Sequence, residues 1–110
     1  MIDKKPGITI YRHPNPEIRS YLTSAEISRY RVEIFKADDR EAFEPQLRGL
    51  GTIGTQVVRE VMAIAGVHDV QIKPRELRVR KDPSVPWDPI EEKIIHALNT
   101  AFRRKMIRVV

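Results

Sequence analysis

The chain has no cysteine. That removes disulfides, thiolate zinc sites, cysteine nucleophiles and cysteine-ligated iron–sulfur clusters together. No apolar run approaches the ~20 residues that a membrane-spanning helix needs. The first residues, MIDKKPGITIYRHP, carry two lysines, with no apolar stretch of signal-peptide length behind them. The expectation is a cytoplasmic chain without a membrane partner. Aromatic residues are few, 6%, with one tryptophan. No RNP or KH pattern occurs, so the usual stacking platforms for RNA are not announced. There is no Gly-x-Ser-x-Gly and no serine with an arguable histidine partner, so no enzyme is expected.

What is present fits one small domain, read as residues 1–110. The chain is 110 residues long, 41% hydrophobic and 32% charged. The formal net charge of +5 favours acidic partners. Arginine outnumbers lysine, which suits forked contacts to carboxylate or phosphate.

Alternation of apolar and polar residues predicts strands over 7–13, 17–23 and 29–35. Between the first two lies Pro14-Asn15-Pro16, a turn that cannot hold a regular ladder. Residues 36–54 read as a connection, with a short helical turn interrupted by Pro45 and a glycine-marked approach, GLGTIG. The glycine run lacks a Walker lysine and the dinucleotide fingerprint, so a hinge or helix entry is expected in place of a phosphate cradle. A helical stripe follows from Thr55 to Gly66, with Thr55 as candidate N-cap, Thr52 competing for that place, and Gly66 as candidate left-handed C-cap. Residues 67–81 read as a hairpin turning at Pro74, with Val70, Ile72, Leu77 and Val79 facing inward. The best helix covers 88–105, with Asp88 as N-cap, Pro89 at N1 and Glu91 closing a capping box. The order β-β-β-α-β-β-α predicts an α+β two-layer sandwich. Its mainly antiparallel sheet would carry two helices on one face, and its other face would be solvated or functional.

HPNPEIRSYL, followed by VVREVMAIAGVHDVQIKPRELRVRKDPSVPWDPIEEKI, resembles the N-terminal domain of Nfu/NifU-type iron–sulfur scaffold proteins. The features that carry the likeness are the Pro-Asn-Pro turn, the helix ending in MAIAGV, the hairpin VQIKPRELRV and Trp87-Asp88 before the last helix. The resemblance implies an α+β fold and an association with iron–sulfur cluster assembly. In that family the cluster is held by a Cys-x-x-Cys motif in a separate domain, and this sequence has no such motif. The resemblance therefore implies an accessory or adaptor role by docking a protein partner, with the iron–sulfur assembly machinery as the candidate source, and no resident cofactor.

The candidate binding residues are Asn15, Lys73, Arg75, Arg78, Arg80 and Trp87. The four basic ones, with Lys81, fall within one hairpin and read either as a solvated face or as a surface for an acidic partner. A nucleic-acid or phospho-ligand module is the alternative reading of the same arginines. Trp87 reads as a lid on the helix start or as a binding anchor. His13, His68 and His96 are the candidates for iron, although their spacing matches no metal motif. Of the paired carboxylates, Glu91-Glu92 is read as helix capping and Asp38-Asp39 as solvated.

Overall fold

The computed structural model describes residues 7–29, 33–36 and 43–106, with side chains in those spans except at 43, 44 and 104–106. Eight elements follow in chain order: β1 (Ile8–Arg12), β2 (Ile18–Thr23), β3 (Glu33–Lys36), α1 (Phe43–Arg48), α2 (Gly51–Met62), β4 (Val67–Lys73), β5 (Glu76–Lys81) and α3 (Trp87–Met106). The five strands form one antiparallel sheet in the order β1-β2-β5-β4-β3. The expected α+β sandwich is the observed one.

Period-two alternation decides which strand residues face the helices. Tyr21, Phe35, Val70, Ile72, Leu77 and Val79 point inward and are fully buried. They share a single core with Val57, Val58 and Val61 of α2 and with Ile90, Ile94, Leu98 and Phe102 of α3. Each large side chain buried there contributes about 2 kcal/mol. The opposite face has no helix over it among the described residues: Tyr11, Leu22 and Ile34 remain exposed at 52%, 39% and 49%.

Several local expectations are corrected. Among the described residues there are three helices: the two expected ones, and α1 where a short helical turn was expected. Pro45 does not break α1, because it falls in the first turn, where no N–H partner is needed. The α2 helix begins at Gly51 behind Leu50, so Thr55 lies inside it and is no N-cap. The Thr55 hydroxyl instead donates to the Leu47 carbonyl at 2.7 Å, fastening α2 to α1. The glycine run is thus the start of a helix. The α2 helix ends at Met62, before Gly66. The α3 helix starts at Trp87, with Asp88 in its first turn and not at the cap. The third strand is Glu33–Lys36; residues 30–32 of the expected strand, Asp38-Asp39 and the tail 107–110 lie outside the described residues.

Gly66 has φ +96° in the turn that feeds β4. An added Cβ there would lie 3.0 Å from Val85 Cγ1 and 3.1 Å from Ile90 Cδ1. Position 66 therefore excludes side chains on two counts, backbone hand and space. Gly66→Ala is expected to lower stability by about 2 kcal/mol, read as a lower urea midpoint; an unchanged midpoint would contradict this packing.

Candidate functional site

The open face of the sheet is organised in cross-strand rows, because antiparallel register places partners side by side. The central row reads Tyr11, Ser20, Arg78, Gln71, Ile34 across β1, β2, β5, β4 and β3. Four strand spacings make it roughly 19 Å long. One flanking row carries Thr9, Leu22, Glu76 and Lys73, and the other Ile18, Arg80, Asp69 and Lys36. Large apolar groups stand near both edges of this face, with arginines between them.

The positive charge of this face is less than the hairpin sequence suggests. A register shift between Val67 and Asp69 turns Asp69 outward beside Arg80. Arg80 Nη2 lies 2.8 Å from Asp69 Oδ2, and Arg80 Nε donates to the same oxygen at 3.0 Å. The bulge also brings His68 Nδ1 within 3.2 Å of Arg80 Nη2. Glu76 Oε1 stands 3.8 Å from Lys73 Nζ, and its Oε2 stands 3.8 Å from Arg78 Nε. Arg78 Nε is buried without a hydrogen-bond partner. Arg75, at the exposed hairpin tip, gives its carbonyl to the Thr23 N–H at 2.9 Å. Lys81 leaves the basic set: it alternates inward with Leu77 and Val79, is buried, and donates to the Asp82 carbonyl at 3.3 Å.

A chain of polar groups crosses this face. The Ser20 hydroxyl donates to Glu76 Oε2 at 2.9 Å, and His13 Nε2 lies 2.7 Å from the same hydroxyl oxygen. A hydroxyl has one proton. With that proton given to Glu76, the imidazole N–H donates to Ser20, opposite to the direction that activates a serine nucleophile. This pairing is invisible in the sequence, since His13 and Ser20 meet only through the β1–β2 register. The Tyr11 ring meets His13 edge to face at 4.7 Å between centroids.

Asn15 and Trp87 have structural work at the sheet end. Asn15 Oδ1 accepts from the Glu17 N–H at 3.0 Å and the Asn15 carbonyl accepts from the Ile18 N–H at 3.1 Å, which closes the turn between β1 and β2. Trp87 is 8% exposed, and its Nε1–H donates to the Pro16 carbonyl at 2.7 Å. Arg19 and Lys81 lie over its ring at 4.8 and 5.8 Å. Trp87 is therefore the lid on the helix start and not an exposed anchor. His13, His68 and His96 do not gather; among the described residues no three His, Asp or Glu side chains are placed to hold a metal ion.

Glu91, read as a capping residue, has a different task. Its Oε1 accepts from Arg19 Nη1 at 2.7 Å and from the Tyr21 hydroxyl at 2.9 Å. Burial, then the hydrogen bond and charge of Glu91, push the Tyr21 hydroxyl far above the ordinary tyrosine range, with Arg19 pulling partly the other way.

No protein-family model and no curated protein matches the chain. Solved structures do. The NifU-like protein from Saccharomyces cerevisiae superposes with a TM-score of 0.64 at 20% identity, covering 91% of this chain and 82% of that one. The chain has a NifU-like fold. A Staphylococcus aureus protein matches at TM-score 0.53 and 16% identity, covering 89% of this chain and 98% of that one. In the NifU-like fold seen here the hairpin β4–β5 is threaded between β2 and β3, which puts Arg78 in the middle of the open face. No helix among the described residues is long and apolar enough to cross a membrane.

Glu91→Ala leaves the Tyr21 hydroxyl and the Arg19 guanidinium without their acceptor and is expected to cost about 2 kcal/mol. An unchanged denaturation midpoint would contradict that role. A raised folded-state value for Tyr21 means its contribution is intact below the unfolded tyrosine range, about pH 10, and is lost as pH rises beyond it. In an absorbance titration, wild type and Tyr21→Phe should therefore differ only within the alkaline unfolding transition. A tyrosine signal lost by that substitution before unfolding would contradict the burial of the hydroxyl.

Proposed function

We propose that this chain is a non-enzymatic accessory domain of the Nfu/NifU N-terminal type. It serves iron–sulfur cluster assembly in the cytoplasm by docking a protein partner on its open sheet face. The observation that carries this reading is the central row, with Tyr11 at one edge, Ile34 at the other and Arg78 between them. Antiparallel sheets ordinarily present polar residues to water. Large exposed apolar groups flanking a charge are the composition of a contact surface. The NifU-like fold of the yeast protein supports the assignment to cluster assembly.

The pairing of Arg80 with Asp69, and the closeness of Arg78 and Lys73 to Glu76, favour a protein over a nucleic acid. A phosphate-tracking surface gains affinity from cations not already matched by carboxylates. Arg78 and the exposed tip residue Arg75 would meet acidic groups of the partner, while Tyr11, Leu22 and Ile34 supply the apolar contact.

The test is binding to purified iron–sulfur scaffold and cluster-carrying proteins under anaerobic conditions. Leu22→Glu and Arg78→Glu should each weaken the complex at least tenfold with unchanged thermal unfolding, as expected for groups at an interface centre. Wild type that binds none of these proteins, or variants that bind as well as wild type, would sink the reading. Binding to RNA that weakens steeply with salt would replace it with the nucleic-acid alternative.

A further inference from the structure

The helix side of the molecule carries a second charged feature, which the docking face does not use. An open groove of about 710 Å³ runs along one face of α2, lined by Thr52, Gln56, Arg59 and Glu60, with Arg48 from α1 and Arg29 from the segment after β2. Its size lies within the range of about 300–1,000 Å³ that small ligands occupy. Among the described residues three guanidiniums and one carboxylate line it; the carboxylate accepts from Gln56 Nε2 at 2.6 Å, and Arg59 has a partner of its own.

Two of the arginines, Arg29 and Arg48, pair with no carboxylate among the described residues. The Arg29 N–H donates to the Leu50 carbonyl at 3.1 Å. Its side chain lies across Gly51, where an added Cβ would be 3.5 Å from Arg29 Nε. Gly51 has φ +89°, so both its hand and its bareness suit that crossing. Arg48 is the last residue of α1, next to Leu47, whose carbonyl accepts from Thr55 and ties α1 to α2. The guanidinium fork matches an oxyanion in two hydrogen bonds, and several forks converging on one groove match a ligand with several oxyanions.

We propose that this groove binds a small polyanion with at least two oxyanionic groups, a phosphate ester or a di- or tricarboxylate, through Arg29 and Arg48 with Arg59 alongside. The site is separate from the open sheet face and does not depend on the docking reading.

Inorganic pyrophosphate and citrate are the probes, each titrated into isotope-labelled full-length protein at fixed ionic strength. The expected result is saturable movement of the backbone signals of Arg29, Arg48, Thr52 and Gln56 with one probe or both. Pyrophosphate alone would identify a phosphoryl ligand, and citrate alone a carboxylate ligand. Arg29→Ala combined with Arg48→Ala should weaken that binding at least tenfold while the unfolding midpoint holds, and Arg78→Ala on the far side should leave it unchanged. Movement that never saturates with either probe, or that survives the double substitution, would overturn the proposal.

Discussion

Tyr21 lies on the inner face of β2 with no exposure, and its hydroxyl reaches the same carboxylate oxygen of Glu91 that Arg19 reaches. A buried hydroxyl and a partly buried guanidinium both need an acceptor, and leaving either unmet costs more than the net value of the bond. One oxygen of α3 therefore fixes where that helix lies on β2. Four residues earlier, Trp87 reaches the Pro16 carbonyl and ties the same helix to the β1–β2 turn. With α3 set on that side and α2 packed beside it, the core closes on one face of the sheet. Among the described residues the other face carries no helix.

That open face is a balance of sheet physics and charge. Sequence order places Lys73, Arg75, Arg78, Arg80 and Lys81 together, but strand geometry divides them. Alternation turns Lys81 inward, the tight turn lifts Arg75 to the hairpin tip, and the bulge at β4 supplies Asp69 to Arg80. What remains at the centre is Arg78, close to Glu76 but too far for a hydrogen bond, with apolar side chains at the rim. Ion pairs on an exposed face contribute little stability. Their effect here is on what the face can attract.

The layering was legible in the sequence because period two and period 3.6 leave strong marks. Val70, Ile72, Leu77 and Val79 announced the inner face, and Ile90, Ile94 and Leu98 announced the α3 stripe. Helix starts leave weaker marks. Glycines at 51 and 54 argued for a flexible approach, yet tertiary packing extends α2 through both, since propensity differences of about 1 kcal/mol yield to burial. Glu91 matched a capping pattern only because the pattern is local; its true partners lie 70 and 72 positions away. The central row of the open face was likewise invisible, because Tyr11, Arg78 and Ile34 meet only through the order of strands in the sheet. The resemblance carried by the Pro-Asn-Pro turn and Trp87 rested on two groups that bond to each other's neighbourhood through the Trp87–Pro16 contact.

We propose that a partner docks on the open sheet face. The most direct measurement is backbone NMR of labelled protein titrated anaerobically with a purified iron–sulfur scaffold protein. Docking on this face should concentrate shifts and broadening on Tyr11, Leu22, Ile34 and the β5 residues around Arg78. Perturbation confined to the helix side, with these signals unmoved at saturation, would contradict it.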